Sequence, residues 1–172
     1  FEVSGAEAAT PDMALQRAQA LKGQFIMDTH THFLRDDTRL AGFVAARDAV
    51  GRSGWNPALK GRPQTLEDLK FGNYFKEIYL DSDTKVALIS GSPSEIPEDW
   101  FLTNEMKAQA RGDVNKKAGS KRMFSHAIFM PGMPGWLEKA DKDYETLKPD
   151  SFKGYTVGDN TNKHRKLLLA WS

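Results

Sequence analysis

The stretch "FIMDTHTHFL", Phe25 to Leu34, decides how the chain reads. It opens apolar and closes on His30 and His32, two of only four histidines in 172 residues. On an extended strand, side chains two residues apart point to one face, about 6.6 Å apart along the backbone. Two imidazoles at that spacing can lean onto one metal ion through bonds of about 2.0–2.1 Å. Asp28 shares their face one step deeper, as an acceptor that fixes a histidine tautomer or as a buried polar anchor. A His-x-His pair alone is a weak motif, and its plain reading is two exposed residues at a strand exit. Context favours the metal: the pair ends an apolar run that Gly23 opens, and a long irregular segment follows.

Working outward, residues 1–11 are small and polar, and 11–23 have the composition of a short helix closed by Gly23. Residues 35–64 are weakly patterned, with helical character at 39–50 and Gly- and Pro-rich loop at 51–63. Thr65 opens a helical pattern to about residue 82, with Asp68 completing a capping signature. "KVALISG" at 85–91 is a compact apolar strand, and 103–119 a polar helix capped by Thr103 or Asn104 and ended by Gly119. A third strand is predicted within 121–132, a fourth helix within 135–149 and a fourth strand over 152–160. Strands alternating with helices predict right-handed crossovers and a parallel sheet. The fold class is therefore α/β, and sites in such sheets form at the carboxyl ends of strands, where His30 and His32 sit.

A net charge of +1 gives no reason to expect nucleic acid or an anionic membrane as partner. The absence of cysteine removes disulfides, thiolate metal sites and a cysteine nucleophile together. No apolar run approaches the ~20 residues that span a bilayer. A soluble protein is expected, with the compartment open between cytoplasmic and an exported mature form. No Gly-x-Ser-x-Gly elbow or phosphate loop supports serine hydrolysis or nucleotide binding.

"FIMDTHTHFL" followed by "KVALISGSPS" resembles the first two strands of the amidohydrolase superfamily, closest to its amidohydrolase-related branch of metal-dependent hydrolases and decarboxylases. "SKRMFSHAIFMPG" and "SFKGYTVGD" fit strands three and four, so the resemblance spans about residues 24–160. It implies the N-terminal half, strands one to four, of a TIM-like (β/α)₈ barrel, after an arm and short helix at 1–23. Such a barrel needs ~250 residues. The resemblance also implies a divalent metal, zinc first, held by His30 and His32. Further histidines and a proton-shuttling aspartate are expected outside this chain, on another segment or chain or through self-association. The implied function is metal-dependent hydrolysis of a small molecule. Metal-dependent decarboxylation and a non-catalytic half-barrel partner are the alternatives.

Three more residues are candidates for substrate contact. His126 falls inside the third strand with Phe124, Ile128 and Met130 on its face, either reaching substrate or satisfied in the core. Asp159, at the fourth strand's exit, is a site carboxylate or a turn residue. Trp55, with Phe33 and Phe43, belongs to the segment after strand one, which would shape a pocket for a flat substrate or pack that segment down. Some binuclear members of the superfamily carry a carboxylated lysine on strand four. Lys153 reads as too early in its strand for that role.

Overall fold

The computed structural model describes residues 22–155 and, before them, positions 12, 15, 16, 19 and 20. Four strands alternate with helices: β1 Met27–Thr31, α1 Gly42–Arg52, α2 Phe71–Phe75, β2 Val86–Ile89, α3 Asn104–Ala118, β3 Met123–Phe129, α4 Trp136–Leu147 and β4 Ser151–Gly154. The strands are parallel and ordered β1-β2-β3-β4, and the sheet curls into a half-barrel, as the alternation predicts.

Side-chain alternation builds the core on one face of that sheet. Ile89 of β2 and Met123 of β3 are fully buried against Leu102, Ala110 and Val114 from α3 and its lead-in. Phe33 and Tyr74 close the same cluster from the β1 side, 5.2 Å apart by ring centroid. Thr31 points to that side too. Its hydroxyl lies 2.8 Å from the Tyr74 hydroxyl and donates to the Leu88 carbonyl, so a polar residue ending β1 is buried without loss.

The α3 boundaries follow the sequence closely. The Thr103 hydroxyl accepts the Met106 N–H at 3.2 Å, and Gly119 ends the helix at φ +62°, which a side chain would strain. The helix predicted from Thr65 is instead broken. Asp68 accepts both the backbone N–H and the hydroxyl of Thr65, so the start is read correctly. A 3₁₀ turn at Leu66–Leu69 then stops at Lys70, whose backbone is extended. The chain restarts as α2 and widens into a π-helical turn at Lys76–Leu80. After the break, Phe71, Tyr74, Phe75 and Tyr79 fall at the spacing of one helix face and pack together against the core.

Two buried polar residues of α3 face the sheet. Asn104 receives the Ile128 N–H at 2.8 Å and donates to the Ile128 carbonyl at 2.9 Å and to the Asp143 carboxylate at 2.6 Å. One amide thus ties α3, β3 and α4 together with every partner buried. Lys107, one turn on, is fully buried, and among the described residues its Nζ has no hydrogen-bond partner. Burial pushes its pKa down to about 7; Asp143 and Glu105 oppose the fall, and Lys153 and Lys139 add to it.

Asn104→Ala should lower stability by about 2–4 kcal/mol in urea unfolding, because it strands the Ile128 amide and Asp143 without partners. Lys107→Met should act in the opposite direction. Between pH 7 and 10.5 the folded chain holds Lys107 less protonated than the unfolded chain does. That alone makes stability rise with pH by roughly 1 kcal/mol per unit across the window. The methionine variant should lose this slope and unfold at higher urea than wild type at pH 7.

Candidate functional site

β1 delivers the histidine pair to the carboxyl end of the sheet. His30 is its penultimate residue, and His32 lies just beyond Thr31, its last. The two ring centroids are 5.6 Å apart, with planes tilted by 56°. Two imidazoles on one tetrahedral ion, with bonds near 2.0–2.1 Å, place their centroids ~5 Å apart. The observed separation is of that order. The pair's donor chemistry fits as well, since imidazole is the commonest metal ligand in proteins.

Both histidines are exposed, but one flank of the His32 ring is covered. The ring packs on Phe101 at 5.2 Å, and Phe43 meets Phe101 edge-on at 4.8 Å. This burial lowers the His32 pKa, His30 and Lys153 add to the effect, and Asp28 opposes it. The neutral ring is the form that binds metal. Asp28 braces the backbone, not a ring: its Oδ1 accepts the His30 N–H at 3.1 Å.

β4 contributes what the sequence reading placed elsewhere. Lys153 is the third of four residues in β4 and pairs in register with Ile128. Its Nζ lies 3.2 Å from His30 Nε2 and 3.2 Å from the Ser90 Oγ to which it donates. The Tyr155 ring lies beneath the ammonium at 5.1 Å, and its hydroxyl donates to the Gly91 carbonyl at 3.0 Å. The reading of Lys153 as too early in its strand is corrected. It assumed a strand running on to residue 160, whereas β4 ends at Gly154 and the four-carbon lysine stem crosses the sheet.

His126 faces the same side. Its Nδ1 lies 2.7 Å from the Ser151 hydroxyl, which fixes the ring. Burial lowers its pKa, and Lys153, Lys107 and His30 lower it further. A cavity of about 390 Å³ opens beside the pair, lined by Asp28, His30 and His32 together with Phe43, Leu69 and Phe101. Arg47 also lines it, paired with Glu77 and donating to Gln64 at 2.8 Å.

The structure thus brings His30 and His32 together and turns His126 toward them. Trp55 is 82% exposed and stands outside this cavity. Asp159 lies outside the described residues. Sequence reasoning missed Phe101 as a site residue and set Lys153 aside, while Ser90, at the end of the second strand, reads as a substrate hydrogen-bonding residue or as turn chemistry. Alternation already put Lys153 on the face of Tyr155, and that was the available signal; nothing local marked Phe101.

Among the described residues, no group of three or more His, Cys, Asp or Glu side chains is placed to hold a metal ion. No helix among them is long and apolar enough to cross a membrane. No protein-family model, curated protein or solved structure matches the chain.

Phe101→Ala should open the buried side of His32. In the metal-free chain, the His32 pKa should climb toward the ordinary 6.5 in a proton NMR titration, while His126 stays as it was.

Proposed function

We propose that this chain carries the strand-one portion of a metal-dependent hydrolase site of the amidohydrolase type. His30 and His32 are the ligands it supplies to a divalent ion, zinc first. The observation that carries the reading is the convergence of two imidazoles, 5.6 Å apart, at the carboxyl end of the first strand of a parallel half-barrel. Resemblance of "FIMDTHTHFL" to strand one of that superfamily supports the same reading.

A bound ion would lower the pKa of a water to about 7 or polarise a substrate carbonyl or carboxylate. The chain's own residues do the rest of the work on this side. Phe101 and Phe43 keep water from one flank of His32 and hold its ring in place. The 390 Å³ cavity admits a small molecule next to the pair. The Ser151 hydroxyl on β4 meets Nδ1 of His126 on β3 and orients that ring. A third ligand and the proton-shuttling aspartate come from outside this chain, in a further segment, a partner or a second copy. Decarboxylation of a carboxylate substrate would use the same ligands.

A second reading is a non-catalytic half-barrel partner that retains the histidines. The absence of a three-ligand group among the described residues favours it. Replacing both histidines, His30→Ala with His32→Ala, decides the metal reading. The purified double variant should retain no stoichiometric zinc by elemental analysis and show no turnover of amide, lactone or carboxylate substrates. Full metal content in that variant would end the hydrolase proposal.

A further inference from the structure

Lys153 is a half-buried cation that its surroundings do not neutralise. Among the described residues no carboxylate pairs with it. An ammonium carries three N–H donors and no acceptor. One reaches the Ser90 hydroxyl at 3.2 Å. The contact with His30 Nε2, whichever tautomer that ring holds, takes at most one more. At least one N–H is left with no oxygen or nitrogen acceptor among the described residues. The remaining neighbour is the Tyr155 ring, its centroid 5.1 Å away.

The ammonium is also held in place. Ser90 is fully buried, and the Tyr155 hydroxyl is tied to the Gly91 carbonyl at 3.0 Å, so hydroxyl and ring are both fixed. His126 stands on the same face one strand away, in register with Ser151, two residues before Lys153. We propose that Lys153 is the centre of an oxyanion site, which binds the carboxylate or phosphate group of a small molecule without a metal ion. A cation drawn partly out of water is costly unless an opposite charge replaces the water, and a bound anion supplies that charge. Hydrogen bonds from an ammonium to an anionic oxygen are also roughly twice as strong as neutral ones. The molecule that carries the anion has room, because His30, in contact with Nζ, also lines the cavity shared with Phe43, Leu69 and Phe101. The site needs no metal, so zinc binding and anion binding can fail independently.

The test is binding of inorganic phosphate and, separately, of acetate to the full chain in the presence of EDTA, followed by calorimetry and by the ring resonances of His126. Burial first, and then Lys153, lowers the His126 pKa, so an anion beside Lys153 should raise it. Saturable binding is expected, and the tighter anion tells whether the group is a phosphate or a carboxylate. Lys153→Met should weaken binding at least about tenfold and abolish the His126 response, whereas Lys153→Arg should stay within about threefold of wild type. Lys142→Met, which removes an exposed charge on α4, should match wild type. Circular dichroism checks each variant for folding, and Lys153→Gln is read in place of the Met variant where that one does not fold. No saturable binding of either anion overturns the site. Equal binding by wild type and the folded neutral variant overturns it as well, and so does a loss shared by Lys142→Met, which would mark attraction to overall charge alone.

Discussion

Everything at the site depends on the two-residue alternation of side chains along parallel strands. On β1, Thr31 turns to the helices and meets Tyr74, so His30 must turn the other way. On β2, Ile89 is buried under α3, so Ser90 turns toward Lys153. On β3, Met123 and Ser125 take the helix side, Ser125 within reach of Arg111, and His126 takes the opposite one. A slip of one residue in any strand would send its histidine, serine or lysine under the helices and bring an apolar residue to the site. The apolar face fixes the register, and the register places the chemistry.

That constraint explains what was legible in the sequence. "KVALIS" and "MFSHAIF" carry strong burial signals, and the helices between them have clear ends, such as Thr103 and Gly119 on α3. The order of strands and the direction of His30 follow from those signals alone. What resisted reading is long-range. Phe101 reaches His32 from the loop before α3, about seventy positions along the chain, and no local pattern encodes such a contact. Lys153 reaches His30 across the sheet, from the last strand to the first. The break at Lys70 was hidden for a different reason: hydrophobic spacing near 3.6 persists across residues 66–79 even though the backbone restarts.

The interior treats its polar groups unequally, and the inequality has a direction. Asn104 is fully partnered, as buried amides are expected to be. Asp150 is likewise secured below the sheet. Burial pushes its carboxyl up, yet Lys121, the Ser125 N–H and Arg111 together hold it below the usual range. The exceptions are both lysines. Among the described residues Lys107 has no partner for its Nζ, and Lys153 has no carboxylate. Both lack the carboxylate pairing that the half-buried Arg47 and Arg111 have.

That lack bears on what the site can bind. A cavity meant to hold a bare dication gains from surrounding carboxylates and loses from an adjacent ammonium. Here Asp28 is the carboxylate beside the pair, and it is engaged by the His30 backbone N–H. Lys153 depresses the pKa of both His32 and His126, which keeps those rings neutral and able to donate lone pairs. The same charge works against a metal ion unless something negative arrives with it. On the metal reading proposed above, an ammonium beside the pair and little negative charge of its own would favour an ion that arrives with an anion. The histidine pair alone points only to the first.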